Sequence, residues 1–449
     1  MRELLSDAAG RASRYLDLLG DRPVAPPPAA LGGLAELGGP LPSGPSDPAA
    51  VLRLLDEAAS PATVASAAGR YFGFVTGGTL PAALAASWLA TAWDQNVALS
   101  AMSPAATRLE EVALGWLIDL FGLPAACAGA FVTGATAANF TALAVARRAL
   151  LLRRGWDADE QGLFGAPALR VVVGDEVHAS VVKALGMLGL GRARVTRVPA
   201  DGQGRMRADA LPELDDLTVI CAQAGNVNSG AFDPLAAICA RAREAGAWVH
   251  VDGAFGLWAA ASPAYAHLID GVAAADSWAT DGHKYLNTPY DSGVVICRHP
   301  EAMRGAMMVG AAYLQDDGRR EPSHYGPEFS RRARGVEVWA ALRSLGRAGL
   351  ADLVERTCRH ARRFAGAMAD AGYTVLNDVV LNQVLVSFGD DEATRRTMAA
   401  VQAEGTCWCG GSVWHGRAAM RVSVSSWATT DDDIERSIAA ILRCASAPL

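Results

Sequence analysis

The sequence predicts an α/β protein with a mainly parallel sheet covered by helices on both faces. From about residue 105, short runs rich in β-branched residues alternate with amphipathic helical segments. Such alternation indicates parallel strands joined by helical crossovers. The 449 residues are 51% hydrophobic and include 46 Gly, which is typical of a large compact core. Ligands of such a sheet are expected at the carboxyl ends of its strands.

The elements of this sheet follow one another along the chain. Helices are predicted where apolar residues recur every three or four positions, and strands where about four β-rich residues follow one another. The predicted helices are residues 106–121, 137–153, 180–188 and 234–245. The predicted strands are residues 131–133, 170–173, 195–198, 218–221 and 248–251.

Three consecutive domains are expected: an N-terminal arm over 1–65, a large ligand-binding domain over 66–340 and a small domain over 341–449. The arm begins with an amphipathic helical pattern and continues into a stretch rich in Pro and Gly, so it needs a partner surface and indicates a dimer. The small domain combines a long helix, two short strands and a final helix, which is an α+β pattern.

Charge and hydropathy exclude some classes of function. The net charge of −7 provides no broad basic surface for nucleic acid. Arg331, Arg332 and Arg334 form a small local cluster, for which a solvated face or an ion-pair site is the ordinary interpretation. Apolar stretches such as 82–92 are well short of the roughly 20 residues that a membrane span requires.

The N-terminus and the cysteines favour a cytoplasmic protein. Met1 is not followed by the basic and apolar regions of a signal peptide. The eight cysteines are scattered, and the close pair Cys407 and Cys409 lacks the further Cys or His ligands of a tetrahedral metal site. Reduced thiols and no bound metal are therefore expected.

Lys284 is the first candidate for chemistry. Aromatic and apolar residues flank it and His283 precedes it, so its amine could be buried and form an imine with a carbonyl compound. Taken alone, the pattern is weak, because a His-Lys pair on a surface turn is far commoner.

Asp252 is the second candidate. It closes a predicted strand and is followed by the small residues Gly253 and Ala254. An aspartate there suits protonation of a pyridine nitrogen, and small residues allow an aromatic ring to lie flat against the backbone. The alternative is an aspartate that caps the N-terminus of a helix.

Two further segments follow predicted strands. In residues 133–139, backbone N–H groups and the Thr136 hydroxyl would meet a phosphate at the start of a helix. A dinucleotide site or a tight turn is the alternative, but neither G-x-G-x-x-G nor a Walker lysine is present, which favours a single phosphate. His178 would lie at the same edge, where it could stack on a ring, handle a proton, or simply be a core residue.

Taken in order, these segments resemble the group II PLP-dependent decarboxylases, a family with the fold-type I aminotransferase-like architecture. The family includes aromatic-L-amino-acid and glutamate decarboxylases, and the similarity runs from about Tyr71 to the C-terminus. The segments that carry it are residues 129–139, 176–183, 230–234, 250–256 and 276–284.

The resemblance implies pyridoxal 5′-phosphate (PLP) as cofactor and a role for each site residue. Lys284 would be the imine lysine and Asp252 the partner of the pyridine nitrogen. Ala254 would pack beneath the ring, and His178 would stack on its other face.

Other residues are assigned to the rest of the cofactor by the same resemblance. Ala135, Thr136 and His283 would hold the phosphate. Asn226 stands where many members have a threonine near the ring oxygen, and an asparagine can still donate a hydrogen bond there.

The resemblance further implies a homodimer with the active site at the subunit interface. A mobile loop of the neighbouring subunit would carry a tyrosine that protonates the substrate carbon after CO₂ leaves. Tyr325 is the first candidate for this tyrosine and Tyr313 the second. Relatives that lack the proton donor release an aldehyde instead.

The expected function is thus the decarboxylation of an L-amino acid to an amine and CO₂. The alternatives are an aldehyde synthase on the same scaffold, another PLP lyase of the aldolase-like or sulfur-eliminating kind, and a non-catalytic protein with this fold. The aromatic segments 71–74 and 93–102 favour an aromatic or bulky apolar substrate, although core packing explains them equally well.

Overall fold

The computed structural model describes residues 1–309 and 320–446. The α-helices, α1 to α13 in chain order, are Arg2–Leu18, Pro28–Gly33, Pro48–Ala59, Pro81–Trp93, Pro104–Leu120, Ala135–Leu152, Ala158–Gln161, Ala179–Met187, Leu235–Ala245, Pro300–Met307, Gly335–Asp370, Asp391–Glu404 and Asp431–Ser446. The strands, β1 to β12, are Tyr71–Phe72, Ala128–Val132, Arg170–Gly174, Thr196–Val198, Thr218–Gln223, Trp248–Asp252, Ser277–Asp281, Gly293–Cys297, Thr374–Val375, Gln383–Ser387, Trp408–Trp414 and Arg417–Ser423.

A seven-stranded sheet has the strand order β2-β8-β7-β6-β5-β3-β4. The strands from β7 to β4 in this order pair in parallel, whereas β8 is antiparallel to both β7 and β2. Because two antiparallel pairings restore the direction, β2 runs the same way as β7. The carboxyl ends of β2, β3, β5, β6 and β7 therefore meet at one edge of the sheet.

Helices cover this sheet, which explains why most of its strand residues are apolar and buried. Helix α6 packs across β2, β6, β7 and β8, while α9 packs on β5 and β6. Val171, Ile220 and Val249 are among the side chains that this arrangement buries. Burial on both faces is characteristic of parallel sheets. The predicted fold class is confirmed.

The direction of side chains in β6 matters for the site. Alternate residues of a strand point to the same face of the sheet, so His250 and Asp252 share one face. Both are buried, and both contact Asn139 of α6 through hydrogen bonds. The face of the sheet beneath α6 is thus polar at its carboxyl edge.

A second sheet of five strands has the order β1-β11-β12-β10-β9. Strands β11 and β12 form an antiparallel hairpin, and β1 pairs in parallel with β11. Helices α12 and α13 pack together, and α12 contacts both strands of the hairpin. An ion pair of 3.1 Å joins Arg70, just before β1, to Asp433 in α13.

The described chain forms two compact units that are not continuous in sequence. One comprises residues 1–78, 362–376 and 384–446, and the other comprises residues 79–361 and 377–383. The division into 1–65, 66–340 and 341–449 stays a prediction. Within the described ranges, no helix has both the length and the apolar character that a bilayer span needs.

Candidate active site

Four of the segments singled out in the sequence, and also Asn226, reach the carboxyl edge of the seven-stranded sheet. Asp252 is the last residue of β6, and Asp281 is the last residue of β7. Ala135 follows β2, His178 follows β3, and Asn226 follows β5. This edge is where a parallel α/β sheet binds ligands.

Lys284 lies three residues beyond β7 and is held by an ion pair. Its Nζ atom is 3.0 Å from Oδ2 of Asp281, and its side chain is 18% exposed against 3% for the aspartate. The other oxygen of Asp281 accepts the backbone N–H of Ala135 at 2.6 Å. Asp281 therefore connects the lysine to the N-terminus of α6, where a negative charge is favourable.

Asp281 was not anticipated as a site residue. Its spacing of three residues from Lys284 was visible in the sequence. Strand β7 itself was not among the predicted strands, however, so the position of Asp281 at the sheet edge could not be used.

His283 is fixed by contacts within the loop that joins β7 to β8 and with the end of β7. Its Nδ1 atom accepts the N–H of Ser292 at 3.2 Å, and its ring stacks on Tyr290 with centroids 4.3 Å apart. Its Nε2 atom lies 3.6 Å from Oδ1 of Asp281. Burial lowers the pKa of His283 below its ordinary value, against the opposing influence of the Asp281 charge. The imidazole is therefore neutral near pH 7.

The start of β8 lies directly against Gly134, the residue before α6. A Cβ atom on Gly293 would come within 2.4 Å of Gly134 Cα, so only glycine permits this approach. Nearby, a Cβ atom on Gly282 would come within 2.4 Å of Ser292 Oγ. The buried hydroxyls of Thr288 and Ser292 have no hydrogen-bond partner in the described chain. Unpaired buried donors beside a helix N-terminus suit an anionic or polar ligand.

Asp252 is buried and held at both oxygens. Its Oδ1 atom accepts the backbone N–H of Ala254 at 3.2 Å. Its Oδ2 atom accepts from Nδ2 of Asn139 at 3.0 Å and lies 3.4 Å from Oγ of Ser180. Asn139 is a second residue that the sequence analysis missed as a functional group. Its position at the end of the segment 129–139 was the available signal.

His178 caps the N-terminus of α8. Its Nδ1 atom accepts the backbone N–H of Ser180 at 3.2 Å and lies 2.7 Å from Oγ of the same serine. A small cavity is lined by His178 and Asp252 together with Cys221. The half-buried imidazole therefore borders the same cavity as the aspartate. The two residues lie at the same edge of the sheet, where the sequence placed them.

The two small residues expected around a cofactor ring and phosphate lie at the same edge. Ala254 is half-buried, follows Asp252 by two residues, and accepts the N–H of Asp281 at 3.0 Å. Thr136 is half-buried in the first turn of α6. Both positions are compatible with the expected roles, which stay predictions.

Asn226 closes a loop. Its Oδ1 atom accepts the N–H groups of Asn228 at 2.8 Å and Ser229 at 3.1 Å, and its Nδ2 atom donates to Gln223 at 3.3 Å. The side chain thus shapes the turn after β5. Contact with a cofactor ring oxygen stays a prediction.

The candidate tyrosines are not brought to Lys284 by any described contact. Tyr325 is half-buried, and the guanidinium of Arg320 lies 4.7 Å from its ring centroid. Arg320 donates to the carbonyl of Gly129, which is near the start of β2. Along an extended chain, Gly129 is about 16 Å from Gly134. Tyr313 lies outside the described residues. The role of either tyrosine in another subunit's site stays a prediction.

The basic cluster of the sequence forms ion pairs. Arg331 makes two hydrogen bonds of 2.7 Å to the buried carboxylate of Glu110. Arg334 pairs with Asp291 at 2.9 Å, and Arg332 pairs with Glu337. These arginines have carboxylate partners, as the ion-pair interpretation expected.

The residue types at the edge fit PLP. An amine allows covalent attachment, a buried carboxylate suits a cationic pyridine nitrogen, and the helix start with its unpaired hydroxyls suits a phosphate. In the ranges that the structure describes, no three His, Cys, Asp or Glu side chains are grouped as metal ligands.

Comparisons with known proteins agree with this fit. Residues 60–388 match the model of the pyridoxal-dependent decarboxylase conserved domain. The chain is 28% identical over 402 residues to a tryptophan decarboxylase 1 of Oryza sativa subsp. japonica, covering 80% of this chain and 77% of that protein. It is 26% identical over 371 residues to a phenylacetaldehyde synthase of a Rosa hybrid cultivar, covering 74% and 71%.

The fold also agrees with a solved structure. The crystal structure of Oryza sativa TDC with PLP and tryptamine superposes with a TM-score of 0.91 at 24% identity, covering 99% of this chain and 97% of that one. Since the family model spans most of the described large sheet and its site, the chain belongs to the pyridoxal-dependent decarboxylases, enzymes of the lyase class with PLP as cofactor.

Proposed function

We propose that this chain decarboxylates an L-amino acid to the corresponding amine and CO₂, with PLP carried covalently on Lys284. The observation that carries the proposal is the pair formed by Lys284 and Asp252. Asp252 ends β6 and Lys284 follows the neighbouring parallel strand β7, and Asp252 is in register with Ala279 of β7. An amine and a buried carboxylate at adjacent strand ends can engage opposite ends of one small ring.

When bound, PLP supplies an electron sink for the electron pair that is left on Cα when its bond to the carboxylate breaks. Asp252 supports that chemistry by holding a proton at the pyridine nitrogen. Its Oδ1 atom, which accepts the Ala254 N–H, retains a lone pair for this contact. His178 would cover one face of the ring and Ala254 the other, which excludes water from the reacting carbon.

Lys284 and Asp281 act together in this proposal. Asp281 Oδ2 holds the ammonium form of Lys284 near the site while the lysine is not bonded to the cofactor. The aspartate also orders the start of α6 through the Ala135 N–H. A mobile lysine is thereby kept within reach for reattachment after the product leaves.

The phosphate would be held by the Ala135 N–H, the Thr136 hydroxyl and His283. The Ala135 N–H already donates to Asp281, so the phosphate would share this helix start with a carboxylate. Asn226 would donate to the ring oxygen if its side chain left the turn. The helix N-terminus contributes the favourable field.

The amine product requires a proton at Cα, and a tyrosine of the partner subunit would supply it. Tyr325 and Tyr313 are both retained for this role. That role needs a dimer. Helix α1 supports a dimer, because none of its described side chains is buried. Leu5, Leu16 and Leu18 are exposed apolar residues of that helix and would be covered by a partner subunit.

We further propose a homodimer in the cytoplasm, with the segment 1–65 as its arm and with 66–340 and 341–449 as the large and small domains. No contact with nucleic acid or membrane is expected.

The substrate class is inferred from the aromatic residues in and after β1. Tyr71 and Phe74 stack on Trp408 with centroids 5.3 and 5.5 Å apart, and Phe74 is exposed. Phe72, in contrast, is buried against Phe364, which is core packing. An aromatic cluster with one exposed ring, that of Phe74, supports an aromatic or bulky apolar substrate side chain.

A second candidate is an aldehyde synthase, which the similarity to the phenylacetaldehyde synthase favours. That reaction would consume O₂ and water and release CO₂, ammonia and H₂O₂ with the aldehyde. The two candidates differ in every product except CO₂.

The test is incubation of the PLP-loaded enzyme with each common L-amino acid, scoring amine, aldehyde, CO₂ and H₂O₂ together. Equal amounts of amine and CO₂ with no peroxide are expected. Equal amounts of aldehyde and peroxide would establish the second candidate, and a product formed without CO₂ release would refute both.

A further inference from the structure

A continuous chain of hydrogen bonds lies behind Asp252. Trp248 Nε1 is 3.0 Å from Ser277 Oγ, which is 3.0 Å from His250 Nδ1. His250 Nε2 is 2.8 Å from Asn139 Oδ1, and Asn139 Nδ2 is 3.0 Å from Asp252 Oδ2. All five side chains are buried. Such a network is stabilising only when every member has its partner.

The direction of this chain follows from its two ends. An indole N–H can only donate, and an ionised carboxylate can only accept. Asn139 must therefore present its NH₂ group to Asp252 and its oxygen to His250. It follows that His250 donates from Nε2, and that Ser277 donates to Nδ1 while accepting from the indole.

The charge state of His250 agrees with this direction. Burial lowers its pKa from 6.5 to about 4, so the imidazole is neutral and carries a single N–H. The titratable groups that face it are Asp252 on the same strand and Cys221, its register partner on β5. Burial raises the pKa of the Cys221 thiol to about 12. His250 and Cys221 are therefore both uncharged near neutral pH.

Asn139 also reaches the other functional side chain of the edge. Its Nδ2 atom lies 3.1 Å from Ser180 Oγ, which is 2.7 Å from His178 Nδ1. Both N–H groups of one amide are thus used, the first on the carboxylate and the second on the serine that orients His178. A shift of Asn139 would move both groups that face the proposed cofactor.

We propose that Asn139 is a positioning residue that fixes the orientation of Asp252, and that Trp248, Ser277 and His250 form the row of hydrogen-bond donors that orients Asn139. This inference rests on the proposed cofactor roles of Asp252 and His178 and assigns roles to four residues beyond them. Asn139 and His250 touch neither substrate nor cofactor in this proposal and act through Asp252.

The first test compares Asn139→Ala with Thr141→Val. Thr141 is buried in the same helix, and its hydroxyl bonds to the Ala137 carbonyl of that helix at 2.8 Å, so its replacement controls for a buried polar change in α6. The dissociation constant of PLP is measured by titrating the apo-protein and following the protein fluorescence. Asn139→Ala is expected to weaken binding about ten- to a hundredfold, because a hydrogen bond to a charged group is lost. Thr141→Val is expected to stay within about twofold of the parent.

The second test uses His250 and remains informative if Asn139→Ala does not fold. His250→Gln can keep an N–H directed at Asn139 Oδ1, whereas His250→Leu cannot. The expected result is near-parent PLP affinity for His250→Gln and a loss of about tenfold for His250→Leu. Equal losses in both variants would overturn the donor direction, and equal affinity of Asn139→Ala and Thr141→Val would overturn the role of Asn139.

A spectroscopic readout separates orientation from general destabilisation. In the ¹⁵N-histidine-labelled apo-protein, His250 is expected as a neutral Nε2–H tautomer that does not titrate near neutral pH. Asn139→Ala should mix its tautomers, and an unchanged tautomer in a folded variant would contradict the proposal. None of these measurements requires turnover. A protein whose PLP binding depends on Asn139 but that releases no CO₂ would therefore refute the proposed function and leave the role of Asn139 intact.

Discussion

The Nζ atom of Lys284 lies 3.0 Å from Oδ2 of Asp281, and the second oxygen of the same carboxylate accepts the first N–H of α6 from Ala135 at 2.6 Å. One carboxylate therefore contacts both the lysine proposed to carry the cofactor and the helix that would face its phosphate. Because Asp281 ends β7 and α6 follows β2, this contact ties together two strands that are separated in the sheet by β8.

The chain contains only two lysines, Lys183 and Lys284, which makes the attachment site easy to test. Lys284→Ala is expected to abolish the visible absorbance of the bound cofactor and to lower turnover at least about a thousandfold, since the covalent link is lost. Lys183→Arg is the matched control, because Lys183 is exposed on α8. Borohydride reduction followed by peptide mass analysis should place the cofactor on Lys284. Label on Lys183 would contradict the assignment.

Asp281→Ala should have two separable effects. It removes a hydrogen-bonded negative charge from the start of α6, which costs about 1–2 kcal/mol of the free energy of unfolding. It also releases Lys284, so PLP attachment should slow. Asp390→Ala is the control, because Asp390 caps α12 through the Ala393 N–H at 2.8 Å and contacts no lysine.

Chemical unfolding and the rate of PLP attachment are the measurements for this pair. Both variants should lose stability, and only Asp281→Ala should lose attachment rate. Unchanged attachment in Asp281→Ala would show that the ion pair has no part in presenting the lysine.

Gly293→Ala should disrupt the close contact between Gly293 and Gly134. The added methyl group would lie 2.4 Å from the Gly134 backbone, and backbone at a helix start cannot move aside as a side chain can. We expect a loss of about 1–3 kcal/mol in the free energy of unfolding together with weak PLP binding. Gly115→Ala in α5 meets no atom within 4 Å and should be neutral or slightly stabilising. Equal melting temperatures and PLP affinities for the two variants would contradict the close approach.

Much of this site could be predicted because its residues follow strands. Asp252 and His178 were placed at one edge from the alternation of strands and helices alone, since parallel strands end together. Lys284 was different, because its segment is ordinary without the other motifs. The resemblance of the ordered set, and not any single motif, predicts its role.

The missed residues have a common physical reason. Asp281 and Asn139 act through hydrogen bonds across elements that are far apart in sequence, with Asn139 and Asp252 separated by 113 residues. Periodicity assigns a residue to a face but not to a partner on another element. Strand β8 was also missed, and with it the antiparallel pairings that set the direction of β2.

Tyr325→Phe and Tyr313→Phe should give different products. The tyrosine that protonates Cα is expected, when replaced by phenylalanine, to shift the product from amine to aldehyde with matching O₂ uptake and H₂O₂ release. The other replacement should leave the products unchanged. Tyr325 packs against Arg320, so its phenylalanine variant keeps the ring contact and loses only the hydroxyl. If neither variant changes the ratio of amine to aldehyde, the proton comes from elsewhere.

Acid should destabilise the protein through His250. Burial lowers its pKa from 6.5 to about 4, so the unfolded chain takes up a proton near pH 6.5 that the folded protein accepts only near pH 4. The stability linked to this group is therefore complete above pH 6.5 and is lost as the pH falls towards 4. The shift corresponds to about 3 kcal/mol at most.

The measurement is urea unfolding of the parent and of His250→Gln at about pH 7.5 and about pH 5. The variant cannot take up this proton, so its stability should fall less on acidification than that of the parent. Asp233 works in the opposite direction, since burial raises its pKa to about 6 and acid then favours its folded form. Because Asp233 is present in both proteins, its contribution cancels in the difference. Parallel losses in the two proteins would mean that folding does not lower the pKa of His250, and that this histidine is not the group that makes folding sensitive to acid.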